Sequence, residues 1–336
     1  MKPFPAAAAR SQPHRSRYVC YEAFRLGLGV ARGRRNQMKS LFIDCNDQLA
    51  PVWQRVVRAD DPSIDVNNAA FAPADLPRPL QGYDICIDDH SYLPTALAAQ
   101  CDALKHVVFL GTGAASYMNV EELATHGIRV HTIKGYGDTA VAEHAIALML
   151  ACCRDVARMD REIRSGTWIT REGMQLAGKT LGVVGLGGIG REVARIGRGL
   201  GMQVLAWTRT ARPGETLVAL DELLQRSDVI SLHLVLNDET RGFLGPAQVA
   251  RMKPGVVLIN TARAALVDEA ALIEALRSGG IGHAGLDVFY AEPLAPDHPL
   301  VAMGNVTLTA HAGFRTLEAS MTLLRRAIDI VTGIVG

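Results

Sequence analysis

Short apolar runs alternate with segments of helical periodicity from Met38 to the end of the chain. Runs of strand type separated by helical segments predict parallel sheets, because two parallel strands need a crossover connection between them. The first part of this pattern predicts strands at 40–44, 84–87, 106–110 and 129–133, with helices at 49–57, 93–101 and 120–126. These elements are sufficient for one sheet covered by helices.

A long helical pattern then runs from Asp138 to about Met159 and separates the first series from a second one. Its apolar positions recur near the helical period, at Val141, Ala145, Leu148 and Ala151. The segment 161–178 that follows is polar and offers few core residues. The second series predicts strands at 181–185, 203–207, 229–234, 256–260, 284–288 and 306–309, and a closing helix near 316–331. The whole pattern predicts an α/β protein with two parallel sheets.

The composition is that of a soluble globular protein with two domains. The chain has 336 residues, of which 49% are hydrophobic and 21% are charged. The formal net charge of +1 gives no electrostatic reason to bind nucleic acid or an anionic membrane, and the apolar stretch at 145–153 is too short to span a bilayer. The six cysteines form neither a CxxC pair nor a zinc-like spacing, so we interpret them as reduced thiols of a cytoplasmic protein.

Residues 1–37 differ from the rest of the chain in charge. They contain eight Lys or Arg residues and one acidic residue, Glu22. A segment rich in Arg and poor in acids is typical of a transit peptide, but Met38 directly precedes the first predicted strand. We therefore interpret 1–37 as a disordered basic leader, or as the product of a start codon placed too early.

A glycine-rich turn follows the strand predicted at 181–185. Gly185, Gly187 and Gly190 fall in the G-x-G-x-x-G register between that strand and the start of a helix. This context is typical of dinucleotide binding, since the glycines allow a tight turn and a close approach of the pyrophosphate, and the helix N-terminus offers free N–H groups. A glycine-rich turn without a ligand is the alternative interpretation.

The end of the second strand of this series bears on the choice between NAD and NADP. Sites selective for NAD place an Asp or Glu near this end, where it binds the ribose 2′-hydroxyl. Here Thr208 takes that position and Arg209 follows, with Arg212 close in sequence. A hydroxyl does not repel a 2′-phosphate, and a guanidinium binds one with two hydrogen bonds. The sequence thus favours NADP over NAD; the alternative is that both arginines are only solvated.

Three polar residues follow later strands of the second series. They are Arg263, Glu292 and His311, with spacings of 292 − 263 = 29 and 311 − 292 = 19 residues. Each alone is a common surface residue. Because ligands of open α/β sheets bind outside the carboxyl ends of the strands, we expect these three side chains to converge near a bound nicotinamide.

On these motifs the sequence resembles the D-isomer-specific 2-hydroxyacid dehydrogenase family, which includes phosphoglycerate dehydrogenases, D-lactate dehydrogenases, glyoxylate/hydroxypyruvate reductases and formate dehydrogenases. The similarity runs from about residue 84 to 331. It comprises G-T-G-A-A-S at 111–116, G-D-T-A-V-A-E-H at 137–144, G-L-G-G-I-G at 185–190, S-L-H-L-V-L at 231–236, N-T-A-R at 260–263, L-D-V-F-Y-A-E-P at 286–293 and T-A-H-A-G at 309–313.

The resemblance implies a role for each matched position and needs no metal. Arg263 would bind the substrate carboxylate, His311 would exchange a proton with the carbonyl oxygen, and Glu292 would favour the charged imidazole. The remaining substrate contacts would come from the loop of Gly111, Thr112, Gly113 and Ala114. The implied cofactor contacts are Gly185, Gly187, Gly188, Ile189, Gly190, Thr208, Arg209, His233, Thr261, Ala262 and Asp287.

The resemblance also implies a domain organisation. Two Rossmann-like domains are expected, with an NAD(P)-binding domain inserted into a flavodoxin-like substrate domain. The substrate domain would comprise 38–138, the dinucleotide-binding domain 139–309, and the C-terminal helix in 310–336 would return to the substrate domain. A homodimer is expected, with each active site in the cleft between the two domains.

The implied activity is hydride transfer between NAD(P)H and a 2-oxo acid to give a D-2-hydroxy acid, with a substrate of the glyoxylate or hydroxypyruvate type favoured. The alternatives are a D-3-phosphoglycerate-type dehydrogenase, or a dinucleotide-sensing corepressor built on the same fold. A formate dehydrogenase is disfavoured because Ala310, and not Gln, precedes the histidine. His90 and Tyr92 could touch the substrate or belong to an ordinary surface loop, and Arg315 could bind a second anionic group or face solvent.

Overall fold

The computed structural model describes residues 38–210 and 216–336. Its first five strands form one sheet: β1 (Ser40–Phe42), β2 (Ile64–Val66), β3 (Ile85–Asp88), β4 (His106–Phe109) and β5 (Arg129–Thr132). All are parallel, in the order β2-β1-β3-β4-β5. This is the strand order of the flavodoxin-like doubly wound fold, which places ligands at the switch point beside β1 and β3.

Short helices cover this sheet: α1 (Ala50–Val56), α2 (Pro77–Leu80), α3 (Thr95–Ala98) and α4 (Val120–Thr125). Local sequence explains where they begin. Helix α1 has a proline in its first turn, and the side chain of Asn119 caps α4 by accepting a hydrogen bond from the N–H of Glu122. The central strands β3 and β4 are almost entirely buried, as expected for parallel strands covered on both faces.

The long helix predicted from Asp138 to Met159 is two helices, and the prediction of one continuous helix was wrong. Helix α5 spans Asp138–Cys153 and α6 spans Val156–Arg164. Asp155 between them has φ 53°, in the left-handed region, so the chain changes direction there. Helix α5 packs against the second sheet, with its buried side chains at Ala142, Ala145, Leu148, Met149 and Cys152.

The second sheet consists of β6 (Thr180–Val184), β7 (Gln203–Trp207), β8 (Val229–Leu232), β9 (Val256–Asn260), β10 (Ile281–Leu286) and β11 (Val306–Leu308). The strands are parallel, in the order β7-β6-β8-β9-β10-β11. Its helices are α7 (Gly188–Gly199), α8 (Leu220–Arg226), α9 (Pro246–Val249), α10 (Glu269–Ser278) and α11 (Pro299–Ala302). The predicted strands of the second series are therefore all present, some with shifted ends.

The last helix, α12 (Leu317–Val335), returns to the first sheet. Leu323 and Ile328 join the core around Trp53 of α1. Arg325 clamps this arrangement with both terminal nitrogens 2.7 Å from the carboxylate of Asp61. In chain order the second sheet therefore lies between the strands of the first sheet and the helix α12 that packs on them, which confirms the predicted fold class.

Residues 38–336 form one compact unit, and the predicted boundaries at 138 and 309 stay predictions. The leader 1–37 lies outside the described residues. Five cysteines are buried: Cys45, Cys86, Cys101, Cys152 and Cys153. In the described part of the chain no helix has both the length and the apolar character needed to cross a membrane. The cytoplasmic location inferred from the thiols stays a prediction.

Candidate active site

The carboxyl ends of the two sheets face a shared cavity of about 230 Å³. The first sheet contributes the loop 111–116 after β4, and the second contributes the loops that follow β8, β9 and β10. The residues predicted as site residues that line this cavity are Gly111, Thr112, Gly113, Ile189, His233, Thr261, Ala262, Arg263, Asp287 and His311. Residues that are far apart in the sequence are thus brought together at one place.

The glycine-rich turn lies between β6 and α7. Gly185 has φ 100°, which only glycine adopts readily, and a Cβ at Gly190 would overlap the carbonyl oxygen of Gly185. The space beside Gly187 is open, with no atom within 4 Å of an ideal Cβ position. Helix α7 begins at Gly188, so its free N–H groups face this space. The geometry fits a pyrophosphate bound at the start of α7.

On the side of the cavity formed by the second sheet, two buried polar atoms have no hydrogen-bond partner among the described residues. They are Nδ1 of His233 and Oγ1 of Thr261. His233 Nε2 lies 2.9 Å from Oγ of Ser231, and burial lowers the pKa of His233 to about 3, so the ring is neutral. Buried polar groups are normally paired. Unpaired atoms beside a glycine-rich turn therefore fit a nicotinamide nucleotide, whose polar groups would pair with them.

Arg263 is held at the end of β9 by its own loop. Nδ2 of Asn260 donates to the carbonyl oxygen of Arg263 (2.9 Å), and Oδ1 of Asn260 accepts from the N–H of Ala262 (3.0 Å). The Arg263 guanidinium lies directly against Gly113 of the opposite sheet, where a Cβ would overlap its Nη2 atom. Nη1 of Arg263 donates to the carbonyl oxygen of Ala262 (2.7 Å), and the remaining N–H groups of the guanidinium can pair with a carboxylate in the cavity.

His311 and Glu292 form a hydrogen-bonded pair, with Nδ1 and Oε2 2.7 Å apart. The other carboxylate oxygen of Glu292 accepts from the N–H of Phe289 (2.9 Å). Burial alone would raise the pKa of Glu292, but the hydrogen bonds from His311 and Phe289 and the charge of Arg263 lower it below its usual range. Glu292 is therefore ionised at neutral pH and accepts the hydrogen bond from Nδ1 of His311.

Asp287 fixes the loop that carries His311. His311 has φ 50°, an uncommon conformation for a residue other than glycine, and its N–H donates to the carbonyl oxygen of Asp287 (2.9 Å). The carboxylate of Asp287 accepts from the N–H groups of Ala312 and Gly313 (2.9 Å each) and from Oγ1 of Thr309 (2.6 Å). The prediction that Asp287 contacts the cofactor stays a prediction, since this buried carboxylate already has several partners.

Other predicted residues lie outside the cavity lining. Ala114 is a buried residue of the 111–116 loop and points away from the cavity, and Glu292 lies behind His311. Thr208 and Arg209 follow β7, where Arg209 forms an exposed ion pair with Glu239. Arg212 lies outside the described residues.

Several cavity residues were not predicted from the sequence. Tyr136 and Asp138 line it, as does His90, for which a surface loop was an equal alternative. Asn260, which orients the Arg263 loop, was visible only as the first letter of N-T-A-R. No spacing rule points to these residues, because the contact between the two sheets joins residues that are far apart in the sequence.

Two parallel sheets, a glycine-rich turn at a helix N-terminus and an arginine beside a His–Glu pair define the class: a nicotinamide nucleotide-linked oxidoreductase. The model of the D-isomer specific 2-hydroxyacid dehydrogenase NAD-binding domain matches residues 146–313. The chain belongs to this family. It is therefore a nicotinamide dinucleotide-dependent dehydrogenase that acts on the 2-oxo acid/2-hydroxy acid pair, as the sequence predicted.

Named relatives agree with this assignment. The chain is similar to a hydroxypyruvate reductase of Blautia hydrogenotrophica, with 34% identity over 259 residues, 73% of this chain and 80% of the relative. It is also similar to a D-3-phosphoglycerate dehydrogenase of Archaeoglobus fulgidus, with 40% identity over 231 residues, 66% of this chain and 44% of the relative. The matched region thus spans less than half of that longer dehydrogenase.

A solved structure shows the same arrangement of both sheets. The crystal structure of a glyoxylate reductase from Paecilomyes thermophila superposes with a TM-score of 0.78 at 29% identity, covering 90% of this chain and 96% of that one. The similarity therefore extends beyond the matched NAD-binding region to the first sheet.

Proposed function

We propose that this protein reduces a small 2-oxo acid, of the glyoxylate or hydroxypyruvate type, to the D-2-hydroxy acid with NAD(P)H. The observation that carries the proposal is that His311, paired with Glu292 at 2.7 Å, lines the same cavity as Arg263 and the unpaired atoms of His233 and Thr261. An anion-binding arginine, a proton donor and a cofactor surface are what this reaction needs.

Arg263 binds the substrate carboxylate in the proposed reaction. Its guanidinium presents parallel N–H groups that match the two carboxylate oxygens. The loop of Gly111, Thr112 and Gly113 also lines the cavity; the N–H of Gly111 donates to the carbonyl oxygen of Phe109, which leaves the N–H groups of Thr112 and Gly113 for the substrate. The substrate is thereby oriented with its 2-oxo oxygen toward His311.

His311 supplies the proton. Because Nδ1 donates to Glu292, Nε2 is the atom left to face the substrate oxygen. The protonated imidazole donates from Nε2 as charge develops on that oxygen, and the ionised Glu292 holds the ring in place. The bound NAD(P)H supplies the hydride, with Gly185, Gly187, His233 and Thr261 among the residues that would hold the cofactor. In the reverse direction Nε2 accepts the proton.

A turnover panel tests the reaction. Purified protein is mixed with NADH or NADPH and with glyoxylate, hydroxypyruvate, pyruvate or 3-phosphohydroxypyruvate, and the loss of reduced-cofactor absorbance is followed. We expect the highest kcat/KM with glyoxylate or hydroxypyruvate. A preference for the phosphorylated acid would replace this substrate class. Intact cofactor binding without turnover of any 2-oxo acid would contradict the proposal and favour the corepressor alternative.

We also propose that NADPH is preferred over NADH. Thr208 ends β7 in place of an acidic residue, and Arg209 is exposed beside it. Arg209 must leave Glu239 to bind a 2′-phosphate, but an exposed ion pair is worth only about 0–1 kcal/mol. We expect Arg209→Ala to lower kcat/KM for NADPH about tenfold or more and Glu239→Gln to preserve or raise it. Higher efficiency of the unmodified protein with NADH would contradict this.

A homodimer is the third part of the proposal. Apolar side chains are exposed in one stretch of the chain, from the end of α5 to the segment after α6: Leu150, Val156, Ile163, Trp168 (85% exposed) and Ile169. Exposed apolar clusters mark protein–protein interfaces. Sedimentation equilibrium is expected to give twice the chain mass of 36.1 kDa; a monomer at micromolar concentration would contradict it.

A further inference from the structure

The loop after β3 brings a second histidine into the cavity. His90 lines it, and the centroid of its ring lies 6.0 Å from that of His311. Nδ1 of His90 lies 2.9 Å from Oδ1 of Asp89, a carboxylate that is only 4% exposed. The contact lacks hydrogen-bond geometry, so Nδ1 of His90 is unpaired among the described residues, whereas Nδ1 of His311 is bonded to Glu292. The two rings meet edge-on. Nε2 of His90 has no hydrogen-bond partner in the described part of the chain.

The backbone of this loop is held rigidly. The carboxylate of Asp44, after β1, accepts from the N–H groups of Asp89 (2.8 Å), His90 (3.0 Å) and Ser91 (3.0 Å), and from Oγ of Ser91 (2.8 Å). Oδ1 of Asp88 accepts a further bond from the Ser91 N–H (3.1 Å). Four of these five bonds go to the partly buried carboxylate of Asp44, and together they hold the loop with His90 in the lining of the cavity.

Aromatic neighbours fix the His90 ring. Tyr117 meets it edge-on at 5.1 Å, and Phe314 stacks on it at 6.2 Å. Arg315 stacks on Phe314 and turns away from the cavity, with Nη2 3.6 Å from Oδ2 of Asp89 and Nη1 bonded to Gln48. Arg315 thus supports Asp89 rather than offering a charge to the substrate. His90, unlike Arg315, lines the cavity and presents its imidazole there.

We propose that Nε2 of His90 binds an oxygen on carbon 3 of the substrate, so that among three-carbon 2-oxo acids the enzyme prefers those with an oxygen at C3. This inference rests on the proposed function. With the carboxylate on Arg263 and the 2-oxo oxygen on His311, carbon 3 is the remaining substituent of the reacting carbon. A ring separation of 6.0 Å lets oxygens on adjacent carbons each bond to one imidazole. Neither glyoxylate nor pyruvate has a C3 oxygen.

Hydroxypyruvate and pyruvate are the matched probes, because they differ only in the C3 hydroxyl. We expect kcat/KM of the unmodified enzyme to be higher with hydroxypyruvate. His90→Phe is expected to lower the hydroxypyruvate-to-pyruvate ratio of kcat/KM about tenfold, mainly through KM, while activity with pyruvate is retained. His90→Gln, whose amide can still bond to the hydroxyl, is expected to keep part of the preference. Tyr92→Phe is the control, since Tyr92 is 59% exposed on the same loop and does not line the cavity.

The outcomes separate the inference from the proposed function. An unchanged ratio in His90→Phe, or an equal loss with both substrates, would overturn the inference and leave the proposed function standing. Recovery of the ratio in His90→Gln would support a hydrogen bond over a purely structural role. If the unmodified protein reduces no 2-oxo acid at all, the proposed function fails and the inference fails with it.

Discussion

Replacement of His311 by Ala is expected to lower kcat about 10³-fold, within the range that general acid–base catalysis contributes. The variant loses the proton donor at the 2-oxo oxygen, and Glu292 is left without the imidazole that it bonds at 2.7 Å. The cofactor surface formed by the glycine-rich turn, His233 and Thr261 is untouched. Steady-state kinetics and fluorescence titration with NADPH should therefore show a large fall in kcat with a nearly constant Kd.

A second histidine variant controls for the substitution itself. His126 is exposed at the end of α4, away from the cavity, so His126→Ala is expected to keep kcat unchanged. The position of His311 has φ 50°, and the loss of its side chain leaves the backbone hydrogen bond to Asp287 in place. Near-normal turnover in His311→Ala would remove this residue from the mechanism. A parallel loss of cofactor binding would indicate a structural role instead.

Gly113→Ala is expected to lower kcat/KM about 10²-fold, the cost that a misplacement of about 1 Å in an active site can carry. A Cβ at Gly113 would overlap Nη2 of Arg263, so the guanidinium must move away from the position where it would bind the substrate carboxylate. The end of an arginine side chain shifts easily. The Tm is therefore expected to change little, and the loss should appear mainly as a raised KM.

Gly333→Ala is the matched control, because no atom lies within 4 Å of a Cβ at that position in α12. It should keep both kcat/KM and Tm. Unchanged kinetics in Gly113→Ala would show that substrate binding does not depend on the observed position of the Arg263 guanidinium. A fall in Tm as large as the loss in activity would show that the added methyl group disturbs the fold and not the guanidinium.

The strands that sequence predicted most accurately are those with the clearest apolar runs. The bounds of β7 and β9 are those predicted at 203–207 and 256–260, because buried parallel strands are continuous apolar segments between polar turns. Strand β2 was missed because its three residues, Ile64–Val66, are only partly buried at a sheet edge. The break between α5 and α6 was missed because a left-handed Asp155 leaves no mark in a helical pattern.

The site residues also divide into those that the sequence predicted and those that it did not. Motifs near the ends of β9 and β10 and after β11 predicted Arg263, Glu292 and His311, since these follow from strand order and family resemblance. From the first sheet, Gly113 was predicted only as one member of the loop 111–114, and for His90 two alternatives stayed open. His90 meets His311, and Gly113 meets Arg263, only through the packing of one sheet on the other. Such contacts depend on side-chain geometry, which periodicity and spacing do not contain.

The stereochemistry of the product tests the central claim most directly. Hydroxypyruvate is incubated with purified protein and NADPH, cofactor oxidation is followed by absorbance, and the glycerate formed is analysed by chiral chromatography. The account predicts that each NADPH oxidised is matched by one molecule of D-glycerate. Formation of L-glycerate, or oxidation of NADPH without glycerate, would contradict it.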